Sequence, residues 1–290
     1  MLEPIIKSDT LNIFIMFCLF DAVGYNNTTV LNVLSSKEKV NEPLARLQHK
    51  RLCEAVGVDP LPAPAQALPD LVYAANAGMF LPRLPEPVVL LSNMAYASRA
   101  KETPYVKSAL ESRGIKTFNF DENVPWEGQG ESVWFHDGRL LAVGYGYRST
   151  EKTAPKLQAL LNRIYGLYGV APPTVVGVKL TAPQVYHLDI AMVRIREDTA
   201  LVRVGALHPR SKAALRRRGV HLVELPVEHP FALNIQVLNR TTAVTRLQNE
   251  SDRCLLRRYF RKLVEVDVGE LEKGGGSVRC CMLNLFYKTL

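Results

Sequence analysis

Cysteine is scarce, with five residues in a chain of 290, at Cys18, Cys53, Cys254, Cys280 and Cys281. The number is odd, and no short framework spacing links them. That excludes a disulfide scaffold and points to reduced thiols in an intracellular, cytoplasmic setting. No CxxC occurs, and the adjacent pair Cys280–Cys281 is a poor basis for a structural metal site, so no metal is expected. Long apolar runs are missing too. The nearest, LNIFIMFCLF from Leu11 to Phe20, is too short to span a bilayer, and Asp21 and the polar GYNNTT follow it where a cleavage site would need small residues. It reads as a buried strand, and no membrane association is expected. No stretch rich in Pro, Gly and Ser is long enough to separate domains. DPLPAPAQALPD (Asp59 to Asp70) is a rigid connection, and a single domain over residues 1–290 is expected. Zinc-finger spacings and RNA-binding aromatic motifs are absent. The formal charge of +8 comes from scattered residues, and its densest cluster, Arg216 to Arg218 in SKAALRRRG, belongs to a surface helix ended by Gly219. A nucleic-acid partner is therefore not expected.

What the chain does have is 47% hydrophobic and 22% charged residues, enough for a sizeable core, and a recurring unit. MFLPRLPEPVVLLSN, beginning at Met79, is two apolar runs about a Pro-rich turn, and the helix-compatible SRAKETPYVKSALESRG follows. SVWFHDGRLLAVGYG turns at Asp137–Gly138 and precedes TEKTAPKLQALLNRIYGLYG. AMVRIREDTALVRVGA precedes PRSKAALRRRG, and IQVLNRTTAVTRL precedes ESDRCLLRRYFRK. Each copy reads as a hairpin followed by a helix. Further strands, TVVGVKL, VHLVELP and LVEVDVG, lie between copies. The period of about 40–60 residues indicates a radial array or solenoid. Four copies leave one apolar strand at each end, NIFIMFCLF and CMLNLFY. Pairing these two would complete a fifth unit and close a ring, covering the exposed edges of an open array.

Candidate chemistry is thinly marked. Gly274 to Gly276 in EKGGGSVRCCMLNLFY allow either a flexible turn, with Cys280 and Cys281 as small core residues, or a close backbone approach to a ligand. His187 and Asp189 in YHLD would face the same way in an extended strand. Glu131, entering an apolar strand after GQG, is either a strand-end surface charge or a carboxylate that meets a cation.

The ordered set PDLVYAANAG, GQGES, GYGYRS, YHLD and GGGSVRC resembles the guanidine-modifying superfamily, from about Phe20 to the C-terminus. That superfamily comprises arginine deiminases, dimethylarginine dimethylaminohydrolases, glycine amidinotransferases and arginine dihydrolases. The resemblance implies an α/β fold, the five-bladed α/β propeller of pentein type, in agreement with the repeat count. It implies Cys280 as nucleophile, His187 as general acid and base, and Glu131 and Asp189 as carboxylates gripping a guanidinium. It makes Asp70, Arg99 and Arg148 candidates for holding the amino-acid end of a substrate, and it leaves Cys281 on the opposite face of the strand. No organic cofactor is required. Asn76 stands where deiminases and dimethylaminohydrolases carry a carboxylate. The arginine dihydrolase branch carries the same Asn, and Asn27 in GYNNTT is a loose match to a further asparagine of that branch. Asp189 also argues against the dimethylaminohydrolase branch. The expected function is hydrolysis of the guanidino C–N bonds of arginine or a derivative. The alternatives are amidino transfer to an amine, dimethylaminohydrolase-like activity and a catalytically silent binding protein. The expected partner is a small guanidino substrate. The oligomeric state, a homo-oligomer included, stays open.

Overall fold

The computed structural model describes residues 40–62, 68, 70–120 and 123–285, and the backbone of residues 14–17. Among these residues are five three-stranded sheets. Four follow one scheme: an antiparallel hairpin, a helix, then a third strand that pairs parallel with the second. The first contains β3 (Gly78–Phe80), β4 (Val88–Leu91), the helix Glu102–Glu111 and β5 (Lys116–Asn119). The second has β6 (Ser132–Phe135), β7 (Leu140–Tyr145), the helix Thr153–Leu167 and β8 (Thr174–Lys179). The third has β9 (Met192–Arg194), β10 (Thr199–Arg203), the helix Pro209–Arg216 and β11 (His221–Leu225). The fourth has β12 (Gln236–Asn239), β13 (Thr242–Thr245), the helix Glu250–Arg257 and β14 (Lys262–Glu265).

The fifth sheet joins the two ends of the chain. β1 (Phe14–Phe17) pairs antiparallel with β15 (Leu283–Asn284) and parallel with β2 (Pro60–Leu61), in the register Phe14 to Asn284 and Met16 to Pro60. It repeats the scheme of the others in permuted order. The helix Glu42–Val56 lies between β1 and β2 and buries Ala45, Gln48, His49, Leu52 and Cys53, a stripe at helical spacing. Asn41 caps its start and Gly57, at φ 78°, ends it. Hydrogen bonds tie this helix to the end of the chain: Gln48 Nε2 donates to Asp267 at 2.8 Å, and Gln48 Oε1 accepts from the Glu270 N–H at 2.8 Å. The propeller is thus closed at both sheet and helix level, and a large apolar cluster running from Ala45 to Leu285 fills the joint.

Two local expectations differ from what forms. Cys280 and Cys281 lie in a turn ahead of β15, where Met282 N–H donates to Arg279 C=O at 3.2 Å, and not within the strand. His187 and Asp189 enter a single helical turn, Leu188–Ala191, rather than an extended segment. In both places apolar neighbours gave a strand-like pattern, but the backbone turns before its sheet begins. No helix among the described residues is long and apolar enough to cross a membrane.

Candidate active site

The site is built from the turns that lead into the first strand of each sheet. A 3₁₀ turn, Ala74–Ala77, precedes β3, and Gly128–Glu131 precedes β6. The turn Leu188–Ala191 precedes β9, Phe231 to Ile235 precede β12, and Gly274 to Met282 precede β15. Tyr73, Glu127 and His187 each stand five residues ahead of their strand, so the repeat carries equivalent positions to one centre. The narrow pocket there holds about 350 Å³ of empty space. It is lined by Asp70, Tyr73, Asn76, Tyr96, Arg99, Arg148, Tyr186, His187, Gly274, Gly275 and Cys280.

Of the residues expected from the sequence, Asp70, Asn76, Arg99, Arg148, His187 and Cys280 line this pocket. Asp189 lies beside it, its Oδ2 3.4 Å from Cys280 Sγ and its Oδ1 buried without a hydrogen-bond partner. Asn27 lies outside the described residues. Glu131 is fully buried behind the pocket. Its Oε2 presses on β7 so closely that a Cβ at Gly144 would come within 2.6 Å, and neither carboxylate oxygen has a hydrogen-bond partner. Burial, then the nearby Glu127, push the Glu131 carboxyl well above its ordinary range.

The carboxylate that engages His187 is Glu127, which the sequence reading passed over. Glu127 Oε2 and His187 Nε2 are 2.7 Å apart, and Arg148 Nη1 donates to both Glu127 oxygens at 3.0 and 3.2 Å. Arg148 is sandwiched between Tyr96 and Tyr186, at 4.5 and 5.2 Å from the ring centroids. Burial alone would raise the Glu127 carboxyl. Arg148, His187 and Arg99 outweigh it and hold Glu127 well below the usual carboxylate range. His187 therefore has a permanent anion on Nε2, leaving Nδ1 as its other ring nitrogen.

Arg99 is likewise committed to protein partners. It makes a two-pronged ion pair with Glu102 at 2.8 and 2.9 Å, and donates to the Asp70 carbonyl at 3.1 Å and to Asn76 Oδ1 at 3.0 Å. A guanidinium offers only donors, so it fixes the Asn76 amide with its oxygen toward Arg99. The Asn76 Nδ2 group is left buried without a hydrogen-bond partner in the wall of the pocket. The side presented is the amide donor.

Burial, then Asp189, push the Cys280 thiol well above its ordinary value, while the Ser277 backbone N–H and the Asn234 amide act in the opposite sense. Burial also raises the carboxyls of Asp70 and Asp189. Buried, under-satisfied acceptors thus stand near the thiol, Asp70 Oδ1 in the pocket wall and Asp189 Oδ1 beside it. A planar cation rich in N–H donors would satisfy them and lower the thiol's pKa on arrival.

The close fit yields a prediction. A Cβ added at Gly130 would lie 2.3 Å from Asn76 Nδ2 and 3.5 Å from His187 Nδ1. Gly130→Ala is expected to displace Asn76 and lower turnover by about 10²-fold, since ångström-scale misplacement in a site costs that much. Steady-state kinetics would show it, with melting temperature as the control for folding.

The family described as "N,N dimethylarginine dimethylhydrolase, eukaryotic" matches residues 18–287. The bifunctional arginine dihydrolase/ornithine cyclodeaminase ArgZ of Synechocystis is 28% identical over 255 residues, covering 87% of this chain and 34% of that protein. This chain thus spans about a third of that relative's length. The N(G),N(G)-dimethylarginine dimethylaminohydrolase of Mycobacterium tuberculosis is 27% identical over 223 residues, 77% of this chain and 68% of that protein. Among solved structures, the N-terminal domain of ArgZ bound to product, described as an arginine dihydrolase from the ornithine–ammonia cycle in cyanobacteria, superposes with a TM-score of 0.79. It is 25% identical, over 94% of this chain and 97% of that one. With a match of that extent, the same propeller and a pocket of this composition, the chain belongs to the N,N-dimethylarginine dimethylhydrolase family of the guanidine-modifying superfamily.

Proposed function

We propose that this chain hydrolyses the guanidino C–N bonds of arginine or an arginine derivative, as one catalytic unit in the cytoplasm. The observation that carries the reading is the convergence of Cys280, His187 with its Glu127 anion, and the under-satisfied carboxylates Asp70 and Asp189 at one narrow pocket. The odd number of cysteines, without a framework spacing, supports a reducing compartment.

In this mechanism the guanidinium enters beside Asp189 and Asp70, and its charge favours the Cys280 thiolate. Sulfur attacks the guanidino carbon and forms a C–S bond. The C–N bond to an NH₂ group then breaks, and His187 protonates the departing ammonia. A water molecule, deprotonated by His187, attacks the amidino-cysteine carbon. The C–S bond breaks, the thiolate is restored and a ureido product remains. Glu127 holds the imidazole and stabilises its protonated form. Arg148 fixes Glu127 through two hydrogen bonds.

Asn76 determines how far the reaction runs. Its buried, unpartnered Nδ2 donor suits the oxygen of a neutral ureido group better than it suits a guanidinium. A retained ureido group can undergo a second attack by Cys280. That cycle releases a second ammonia and, after a second water, ornithine and carbon dioxide. Asn76→Asp replaces the donor with an acceptor and is expected to shift the product of arginine from ornithine toward citrulline by at least about tenfold. Wild-type protein that accumulates citrulline without ornithine would overturn the double hydrolysis and leave the Cys280 chemistry standing.

The family match and the M. tuberculosis relative support a second reading, with methylated arginine as substrate. Incubation with arginine, agmatine, methylated arginines and succinylarginine, followed by mass spectrometry of the products, separates the two. Adding an acceptor amine to the same assay tests for amidino transfer.

A further inference from the structure

The entry turns of the other four sheets deliver Asn76, Glu127, His187 and Cys280 to the centre. The turn ahead of β12 delivers Asn234, which is fully buried. Both ends of its carboxamide are engaged. Oδ1 accepts from the backbone N–H groups of Arg279 at 2.9 Å and Cys280 at 3.1 Å. Nδ2 donates to Cys280 Sγ at 3.2 Å and to the Asp189 carbonyl at 3.3 Å. The two backbone donors fix the orientation of the amide, because a flip would set donor against donor. One N–H therefore always points at the sulfur. The same amide links the turn carrying Cys280 to the turn carrying Asp189 and His187.

The sulfur's other surroundings make this donor consequential. Asp189 opposes the thiolate electrostatically, and burial opposes it further. The remaining titratable or charged groups around it are Cys281, Arg279, Tyr73 and Tyr186, with His187 in the same pocket.

We propose that Asn234 is a positioning residue for the nucleophile, clamping the turn that carries Cys280 and giving its sulfur a fixed, neutral hydrogen-bond donor that stabilises the thiolate. The assignment rests on Cys280 being the nucleophile. A hydrogen bond to a charged group is worth on the order of one to two pKa units, and that is the shift at stake.

The test is the pH dependence of Cys280 alkylation by iodoacetamide in the whole protein without substrate, read by peptide mass mapping, together with kcat and KM on arginine. Asn234→Ala removes both the clamp and the donor. Asn234→Asp keeps Oδ1 as the acceptor for the Arg279 and Cys280 N–H groups and replaces the amide donor with a carboxyl oxygen beside the sulfur, so it carries the test if the alanine variant does not fold. The expected result is a rise of about one unit or more in the pH of half-maximal Cys280 alkylation. kcat should fall at least about tenfold with KM changed by less than about threefold. Exposed Cys254, alkylated as in the wild type, is the internal control. A folded Asn234→Asp protein with the wild-type alkylation profile would overturn the proposal. Because alkylation needs no guanidino substrate, the outcome is independent of the proposed reaction: a wild-type protein inert toward every guanidino compound would defeat the function and leave the thiol measurement intact.

Discussion

Cys280→Ser is expected to lower turnover by at least about 10³-fold with the fold intact, because a serine hydroxyl in the same buried place cannot supply the anionic nucleophile. Cys281→Ser is the informative partner. Cys281 is fully buried in the apolar cluster that closes the propeller. It does not line the pocket, although it shares a turn with Cys280. Its replacement should retain most of the turnover and lose about 1–3 kcal/mol of stability, the cost of placing a hydroxyl in an apolar cluster. Kinetics and denaturant melts of the two variants therefore show opposite patterns: activity lost with stability kept, and stability lost with activity kept. The asymmetry follows from which of the two cysteines faces the pocket, not from strand alternation.

Glu127→Gln should have the next largest effect, and it separates two assignments of the catalytic carboxylate. The substitution removes the anion on His187 Nε2 and the counter-charge of Arg148 in one step. kcat is expected to fall by about 10²–10⁴-fold, the range for disabling a general acid–base pair. Stability should fall by about 3–5 kcal/mol, because the buried Arg148 loses the Glu127 counter-charge. The pH dependence has a definite sign. The folded protein holds Glu127 below its unfolded value. The stabilisation is therefore complete above the ordinary carboxylate range and is lost as pH falls toward the depressed folded value. The gap between wild-type and Glu127→Gln melting temperatures should be full at pH 7 and shrink below about pH 4. Glu131→Gln replaces a carboxyl that burial pushes well above its ordinary range with an amide of the same shape, so it should cost less than about tenfold in turnover. Equal losses in the two variants would mean that Glu131 acts directly in the pocket.

The sequence made the architecture legible because each unit announces itself twice, by apolar runs around a turn and by a 3.6-period helix after it. The turn at His136–Asp137–Gly138, three successive residues at positive φ, is a case in point. The ring closure was legible from what remained unpaired, an apolar strand at each end. Cys280, His187 and Asn76, which line the pocket, are marked in the sequence by an ordered set of short motifs. Glu127 was missed because WEGQGES offers two carboxylates four residues apart, and the one nearer the strand looked like the one entering the sheet. The signal that selects Glu127 is its repeat position, five residues ahead of β6, as His187 is ahead of β9. The repeat is plain in the apolar hairpins and faint in the turns before them, whose residues share no pattern of polarity. Asn234 was lost for the same reason, since PFALNIQ carries no charge to draw notice. The Asn76 amide orientation could not be read from sequence at all. It depends on Arg99, 23 residues away, arriving with its donors.

The central claim is that Cys280 forms the covalent intermediate. Acid-quenching the protein during turnover of arginine, then peptide mapping with fragmentation that resolves the two adjacent cysteines, tests it most directly. Cys280 should carry an amidino or carbamoyl adduct that disappears when substrate is exhausted. An adduct on Cys281, or steady turnover with Cys280 unmodified at every quench time, would contradict it.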